Sequence, residues 1–318
     1  MKILVIGGAG FIGSHTISGL LKEYGGEGVE ILGIDDFSEG SNVNEKLGID
    51  RYINCKIQDE QALGNAFNIF NPDIVFNFVS NTSVPDSIIN PKLDLPAIYG
   101  MINILELCRA NRTRRFIHAS SGFVYGNNTD FPSHELSPKD LFSPYAIAKS
   151  TCEDYIQFYS RYYKLDCVVL RYGTVYGEGQ YKGALHDYVS CLIKNKPVNV
   201  WGDGLKTRDY VYVGDVIRAN MLAIATRSRL SNIVNIGSGV ETTLNKVIEL
   251  IIAELNRKGF AKYPRINHLP DRGGELHRFF MSNLRAREFI GWKPTTEIGV
   301  GIHRMVKEYC ERYRMGGL

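Results

Sequence analysis

The 318 residues are 44% hydrophobic and 22% charged, enough for one large α/β domain or a domain with an appended lobe. The formal net charge of +3 arises from scattered residues of both signs with no basic block, which gives a nucleic-acid partner no electrostatic support. No apolar run approaches the length of a bilayer span and the chain opens directly on a strand pattern, so a cytoplasmic protein with no membrane segment is expected. The six cysteines contain no C-x-x-C pair and read as reduced core thiols, and the seven histidines fall singly, so no metal site is expected.

Ile3 to Ile6 form a short apolar run, the pattern of a strand buried on both faces. Gly7, Gly8 and Gly10 interrupt it, and helical periodicity resumes at Phe11 and Ile12 and continues past Gly13 to Leu20 and Leu21. Glycines let the backbone turn sharply and approach a ligand, while the next helix offers unpaired N–H groups and a positive dipole end. The spacing G-x-x-G-x-x-G at Gly7, Gly10 and Gly13 therefore predicts a pyrophosphate cradle, with Phe11 and Ile12 part of it. A second apolar run, Glu30 to Ile34, ends in Asp35 and Asp36, where a carboxylate accepts hydrogen bonds from a ribose 2′-hydroxyl; Ser38 follows on the same side.

The polar stretch Phe37 to Leu47 reads as a loop, followed by a third strand near Arg51 to Cys55 and a helix from about Asp59 to Phe70. Asn71-Pro72-Asp73 ends that helix and leads into the strand Ile74 to Val79. Helices from about Leu95 to Ala110 and from Pro144 to about Tyr163 precede strands at Arg115 to Ala119 and Cys167 to Leu170. This alternation predicts a doubly wound parallel sheet with helices on both faces. Ligands of such sheets lie beyond the carboxyl ends of the strands, which directs attention to Val79, Ser80, Ser120, Ser121 and the segment Arg171 to Thr174, including Tyr172.

From Tyr176 the rhythm loosens into the loop Gly177 to Gly183, a helix to about Asn195, and short strands at Val198 to Trp201 and Asp209 to Val213. Ile233 to Ile236 reads as a last strand of the first sheet. The expected organisation is a dinucleotide-binding Rossmann domain over 1–173, regained at about 214–239, and a smaller α/β substrate lobe from 174–213 and 240–318.

The sharpest local constellation is Ser143-Pro144-Tyr145-Ala146-Ile147-Ala148-Lys149. Ser143 is a good N-cap and Pro144 a good first helical residue, so Tyr145 and Lys149 stand one turn apart on one face. An adjacent ammonium favours the phenolate and makes tyrosine a usable base near neutral pH. The chain repeats the spacing at Tyr52 and Lys56, but on a strand four residues span about 13 Å and that pair is set aside.

G-G-A-G-F-I-G at 7–13, the acidic end of the second strand, A-S-S-G-F-V-Y-G at 119–126, Y-A-I-A-K at 145–149, L-R-Y-G-T-V-Y-G at 170–177 and T-R-D-Y-V-Y-V-G-D-V at 207–216 occur in an order that resembles the extended short-chain dehydrogenase/reductases. More narrowly, the chain resembles the NAD-dependent nucleotide-sugar epimerase/dehydratase family from Met1 to about Pro294. The resemblance implies NAD as cofactor, with Tyr145 the acid/base at a sugar hydroxyl and Lys149 at the nicotinamide ribose, depressing the phenol's pKa. It implies Ser121 at the family's Ser/Thr position and Arg208 and Arg272 on the diphosphate of a nucleotide sugar. Thr174 joins that substrate side, and Trp201 stands where the family often has an aromatic near the base. The long helices at 97–110 and 144–163 resemble those that pair in the family's homodimers.

Lys56, Ser80, Ala97 and Gly122 depart from the family pattern, and Gly122-Phe123 replace the acidic pair of the sugar dehydratases. Neither can move a proton, which disfavours elimination, whereas inversion at C4 needs only the tyrosine, a hydride acceptor and room for the ketone to turn. The sequence therefore favours a nucleotide-sugar 4-epimerase, a UDP-sugar foremost. A dehydratase or ketoreductase of the same family is the second reading, and a non-catalytic nucleotide-binding protein the third. Asp35 opposes the NADPH of a reductase, because a carboxylate there repels a 2′-phosphate.

Overall fold

The computed structural model describes residues 1–25, 28–38, 52–226, 232–260, 264–272 and 275–316. Most of the polar stretch expected as a loop, and Arg51, lie outside the described residues. The chain alternates β1 (Lys2–Ile6), α1 (Phe11–Tyr24), β2 (Glu30–Asp35), β3 (Tyr52–Asn54), α2 (Glu60–Phe70) and β4 (Ile74–Asn77). It continues through α3 (Val84–Ile89), a 3-10 turn (Pro91–Asp94), α4 (Leu95–Ala110), β5 (Arg115–Ser121), α5 (Pro144–Tyr163) and β6 (Cys167–Tyr172). There follow β7 (Thr174–Tyr176), α6 (Ala184–Ile193), β8 (Val198–Trp201), β9 (Thr207–Tyr212), α7 (Val213–Ala225) and β10 (Asn232–Ile236). The last elements are β11 (Glu241–Thr243), α8 (Leu244–Arg257), β12 (Ile266–Leu269), α9 (Leu284–Ile290) and α10 (Ile298–Arg314).

Seven strands form one parallel sheet in the order β3-β2-β1-β4-β5-β6-β10, the doubly wound Rossmann arrangement extended by a seventh strand. Strand order reverses at β1, which pairs with β2 on one side and β4 on the other. The crevice beyond the carboxyl ends of these strands is where such sheets hold ligands. Alternate side chains divide between two cores. Leu4, Ile6, Val75 and Phe116 pack beneath α2, α4 and α5 with Phe67, Ile104 and Ile156, and Ile3, Val5, Phe76 and Ile117 pack beneath α1 and α7 with Ile17, Leu20 and Val216. Each fully buried aliphatic or aromatic side chain contributes about 1.5–3 kcal/mol, so both faces are strongly specified.

A separate core joins α6, α8 and α10 to β8 and β9 through Leu192, Val200, Ile251 and Met305. β9 lies between β7 and β11 in a three-stranded sheet, and β12 pairs with β8. The C-terminal stretch departs from the expected partition in one place. Ala286 and Ile290 of α9, with Trp292, are buried in the core beneath α1 and α7, and the Trp292 indole donates to the Asp215 carbonyl at 2.8 Å. A seven-residue helix is too short to display a periodicity that would reveal this. Among the described residues no helix is long and apolar enough to cross a membrane. All six cysteines are unbridged, and only Cys191 is not fully buried.

Candidate functional site

The glycine turn sits where the crevice opens. Gly7 has φ +77°, and a Cβ there would lie 3.1 Å from the Val79 N–H nitrogen. A Cβ at Gly13 would fall 2.0 Å from the Gly7 carbonyl oxygen, so α1 packs on the turn as only glycine allows. Gly10 takes an extended conformation at the N-cap of α1, which has no side-chain cap and no acid in its first turn. A Cβ at Gly10 would meet only the Gly7 carbonyl, at 3.4 Å. An uncapped positive helix end therefore faces open space, which fits the pyrophosphate of a dinucleotide. The side chains of Phe11 and Ile12 pack inward against the two neighbouring cores, leaving their N–H groups to face the cradle.

Asp35 ends β2, its two carboxylate oxygens accepting from Ala9 N–H at 2.8 Å and Phe37 N–H at 2.9 Å. Burial pushes its pKa up, against the pull of those backbone donors. Asp36 accepts from both the N–H and the hydroxyl of Ser38, at 3.0 and 2.5 Å, along the outer edge. Tyr52, set aside in the sequence, packs its ring against Gly33 and donates to the Gly8 carbonyl at 3.2 Å, bracing the turn. Tyr172 does not reach the crevice as expected. Its buried hydroxyl donates to Asn220 at 2.7 Å, and Asn220 donates to Thr16, a core connection between β6, α7 and α1.

On the other side of the crevice, α5 begins as its sequence dictates. Ser143 accepts from Ala146 N–H at 3.2 Å and Pro144 occupies the first helical position. Tyr145 and Lys149 follow one turn apart, with the ammonium nitrogen 5.9 Å from the centre of the phenol ring. Ser121, the last residue of β5, accepts from the Phe123 N–H at 3.2 Å and stands close enough to the Tyr145 phenol to favour its ionised form. Lys149 donates to the Ala119 carbonyl at 2.7 Å, because a buried ammonium needs an acceptor and that strand end supplies one. Burial pushes the Tyr145 phenol up to about 12, with Ser121 pulling down and Asp94 pushing further up. Burial pulls Lys149 down to about 8, opposed by Cys152, Glu153 and Asp94.

Ser120 serves a different purpose from Ser121. Its hydroxyl donates to Glu153 at 2.6 Å, and Glu153 also accepts from Arg171 at 2.8 and 2.7 Å and pairs with Lys139 at 3.0 Å. Burial opposes the charge on Glu153, but Arg171, with Lys139 and Ser120, holds its pKa at about 2. Arg171 continues to the Tyr125 hydroxyl at 2.7 Å, which donates to Asn235 of β10 at 2.7 Å. This network stands directly behind Ser121 and Lys149. Glu153 lies four residues after Lys149, a helical spacing that could have revealed it; Arg171 carried no signal beyond its place at a strand end.

The expected substrate residues gather in the second lobe. Arg208 donates to the Thr207 and Leu276 carbonyls, both at 2.8 Å, and lies over the Phe123 ring at 5.8 Å. Among the described residues no carboxylate pairs with it, and burial lowers its pKa. Arg272 stacks on Trp201 at 4.6 Å and is held by Glu275 at 2.6 Å, bringing two residues 71 positions apart into one unit. Thr174 opens β7 with a buried hydroxyl that has no hydrogen-bond partner. Gly122 is covered by the C-terminal segment. A Cβ there would lie 2.4 Å from Met281 Sδ and 2.5 Å from Phe279, and Phe123 meets Phe279 edge-on at 5.3 Å. An apolar plug from the C-terminal segment thus closes the positions that carry acids in the dehydratases.

The family description that matches residues 3–237 is the NAD dependent epimerase/dehydratase family. The chain is 33% identical to the UDP-glucose 4-epimerase of Mycolicibacterium smegmatis over 317 residues, covering 96% of this chain and 98% of that one. It is similar to the crystal structure of UDP-glucose 4-epimerase from Thermotoga maritima with UDP-glucose, with TM-score 0.89 and 32% identity, over 98% of this chain and 100% of the other. The Thermus thermophilus UDP-glucose 4-epimerase in complex with NAD matches with TM-score 0.89 and 32% identity, over 98% of this chain and 99% of the other. Sheet order, glycine cradle and sequence agree: the chain belongs to the NAD dependent epimerase/dehydratase family.

Proposed function

We propose that this protein is an NAD-dependent UDP-sugar 4-epimerase. One observation carries the choice within the family: Tyr145 stands beside Ser121, and positions 122 and 123, which hold no acid, are closed by Phe279 and Met281. Gly7, Gly10 and Gly13 would hold NAD, with Asp35 at its ribose, and the bound cofactor would supply the hydride acceptor and donor. Tyr145 removes the proton of the C4 hydroxyl, and Ser121 holds the same oxygen, so that a 4-keto sugar forms as the C4 hydride leaves. Arg208, partly buried and with no carboxylate partner among the described residues, grips the diphosphate, and Arg272 on Trp201 closes the nucleotide end. With the nucleotide held and the sugar turned, Tyr145 returns the proton to the oxygen while the hydride returns to the opposite face. Lys149 would stand at the nicotinamide ribose of bound NAD. Gly122 and Phe123 offer no acid or base for an elimination, which separates this reading from the dehydratases of the same family.

Incubation with UDP-glucose is expected to yield UDP-galactose with no net change in nicotinamide absorbance. Tyr145→Phe is expected to lower kcat about 10³-fold while nucleotide-sugar binding persists. A 4-keto-6-deoxy product would transfer the protein to the dehydratases, and binding without turnover on a panel of nucleotide hexoses would sink the catalytic reading.

The outer faces of α4 and α5 support a homodimer. Leu95 and Tyr99 of α4, and Ile147, Phe158 and Tyr162 of α5, are exposed, more apolar surface than two packed helices of a monomer normally leave open. Two shallow clefts of about 400 and 340 Å³ share Asp154 and Phe158 on this face. Sedimentation equilibrium is expected to give twice the 35.8 kDa chain mass, and a monomer at micromolar concentration would remove the pairing.

A further inference from the structure

The start of α5 carries a connection that acid/base chemistry at Tyr145 does not by itself require. The first N–H groups of a helix have no partner within it. In α5, Pro144 has no N–H, and Ser143 accepts from Ala146. The N–H between them, that of Tyr145, donates to the Ser87 hydroxyl of α3 at 2.7 Å, across 58 positions of the chain. Ser87 in turn donates to Asp94 Oδ2 at 2.6 Å. Ser87 is fully buried and Asp94 only 3% exposed. A hydroxyl has a single proton to give, so the direction is fixed, from the Tyr145 N–H to Ser87 and from Ser87 to the carboxylate. A terminal carboxylate shortens and strengthens such a chain. Local capping would satisfy this N–H from the same segment. Here the backbone of Tyr145 is instead tied to α3 and to the 3-10 turn that follows it.

We infer that Ser87 and Asp94 are positioning residues for the reaction, Ser87 fixing the backbone of Tyr145 and Asp94 setting the electric field at Tyr145 and Lys149. The inference rests on Tyr145 being the acid/base. The groups facing that pair are Ser121 and His118 from β5, Cys152 and Glu153 from α5, and Asp94 from the 3-10 turn. Asp94 is the carboxylate that acts on both members, raising the phenol and raising the ammonium. Its charge makes the phenolate harder to form and keeps Lys149 protonated.

The test is the pH dependence of kcat and kcat/KM on UDP-glucose for the NAD-loaded wild type, Asp94→Asn, Ser87→Ala and Tyr145→Phe, with thermal unfolding confirming that each is folded. Asp94→Asn keeps the shape and an acceptor for Ser87 but removes the charge. Both limbs of its profile, which belong to the coupled Tyr145 and Lys149 pair, are expected to move down by about one pH unit. Asp94→Glu is expected to return both limbs to their wild-type positions. Ser87→Ala leaves the charge in place, so the limbs stay while kcat falls about tenfold at unchanged KM. Unmoved limbs in Asp94→Asn, or an unchanged kcat in Ser87→Ala, overturn the inference if Tyr145→Phe is inactive. An active Tyr145→Phe overturns the acid/base reading instead.

Discussion

Gly7 to Gly13 and the corner around Tyr145 lie at carboxyl ends of strands in one parallel sheet, yet they are made of different materials. The cradle is contiguous and consists almost wholly of backbone: a positive-φ glycine, a helix end without a cap, and a close approach of α1 to the turn. The corner is assembled from side chains of α3, the 3-10 turn, β5, α5 and β6, held by buried charges. In the cradle, ligand binding comes from leaving groups out. In the corner it comes from putting charges where water does not reach, which costs stability unless each is paired.

Lys149 measures that cost. Its pKa is lowered to about 8 by burial, against about 10.4 in an unfolded chain. Between those values the unfolded state binds more protons than the folded one, so the stability of the wild type rises with pH across that window. Below pH 8 the ammonium is charged in both states and the penalty is complete. A Lys149→Met protein lacks this dependence. Denaturant unfolding of the pair is expected to show the wild type gaining about 3 kcal/mol on the variant between pH 8 and 10.5. A constant difference across that range would mean that the ammonium is not penalised by its surroundings, and the contrast between corner and cradle would lose its energetic basis.

The same contrast decides what could be read from the sequence. Strands β1, β4, β6 and β8 and helices α4 and α5 followed from apolar runs and from Ser143-Pro144, because local pattern and tertiary position agree there. The cradle was legible for the same reason, its glycines being required by its own turn. Tyr145 and Lys149 were legible as a helical pair. Their surroundings were not: Ser87 and Asp94 lie more than 50 positions from Tyr145 and are joined to it only by folding, and Phe279 and Met281 reach Gly122 from the far end of the chain. Tyr172 shows the opposite error, since a position at a strand end does not fix which way a side chain turns. The short β12 and α9 carry too few residues to establish a period.

The smallest effect on stability belongs to the cradle and is the most diagnostic. Gly10 occupies an N-cap with extended φ and ψ, the conformation in which aspartate caps a helix well, and a Cβ there meets only one atom, at 3.4 Å. The Asp35 carboxylate, which the Ala9 and Gly10 N–H groups face, repels a second acid here, and the gain in helix stability of up to about 1 kcal/mol offsets that repulsion. Gly10→Asp is therefore expected to unfold at an equal or slightly higher temperature than the wild type. It also places a carboxylate over the helix end where the pyrophosphate would lie, so NAD retained through purification, measured by absorbance after heat release, is expected to fall at least about tenfold. If the variant kept its NAD, the open space above Gly10 would not be the pyrophosphate site. If it lost stability together with NAD, the glycine would be serving the fold, and the cradle would resemble the corner more than its backbone construction suggests.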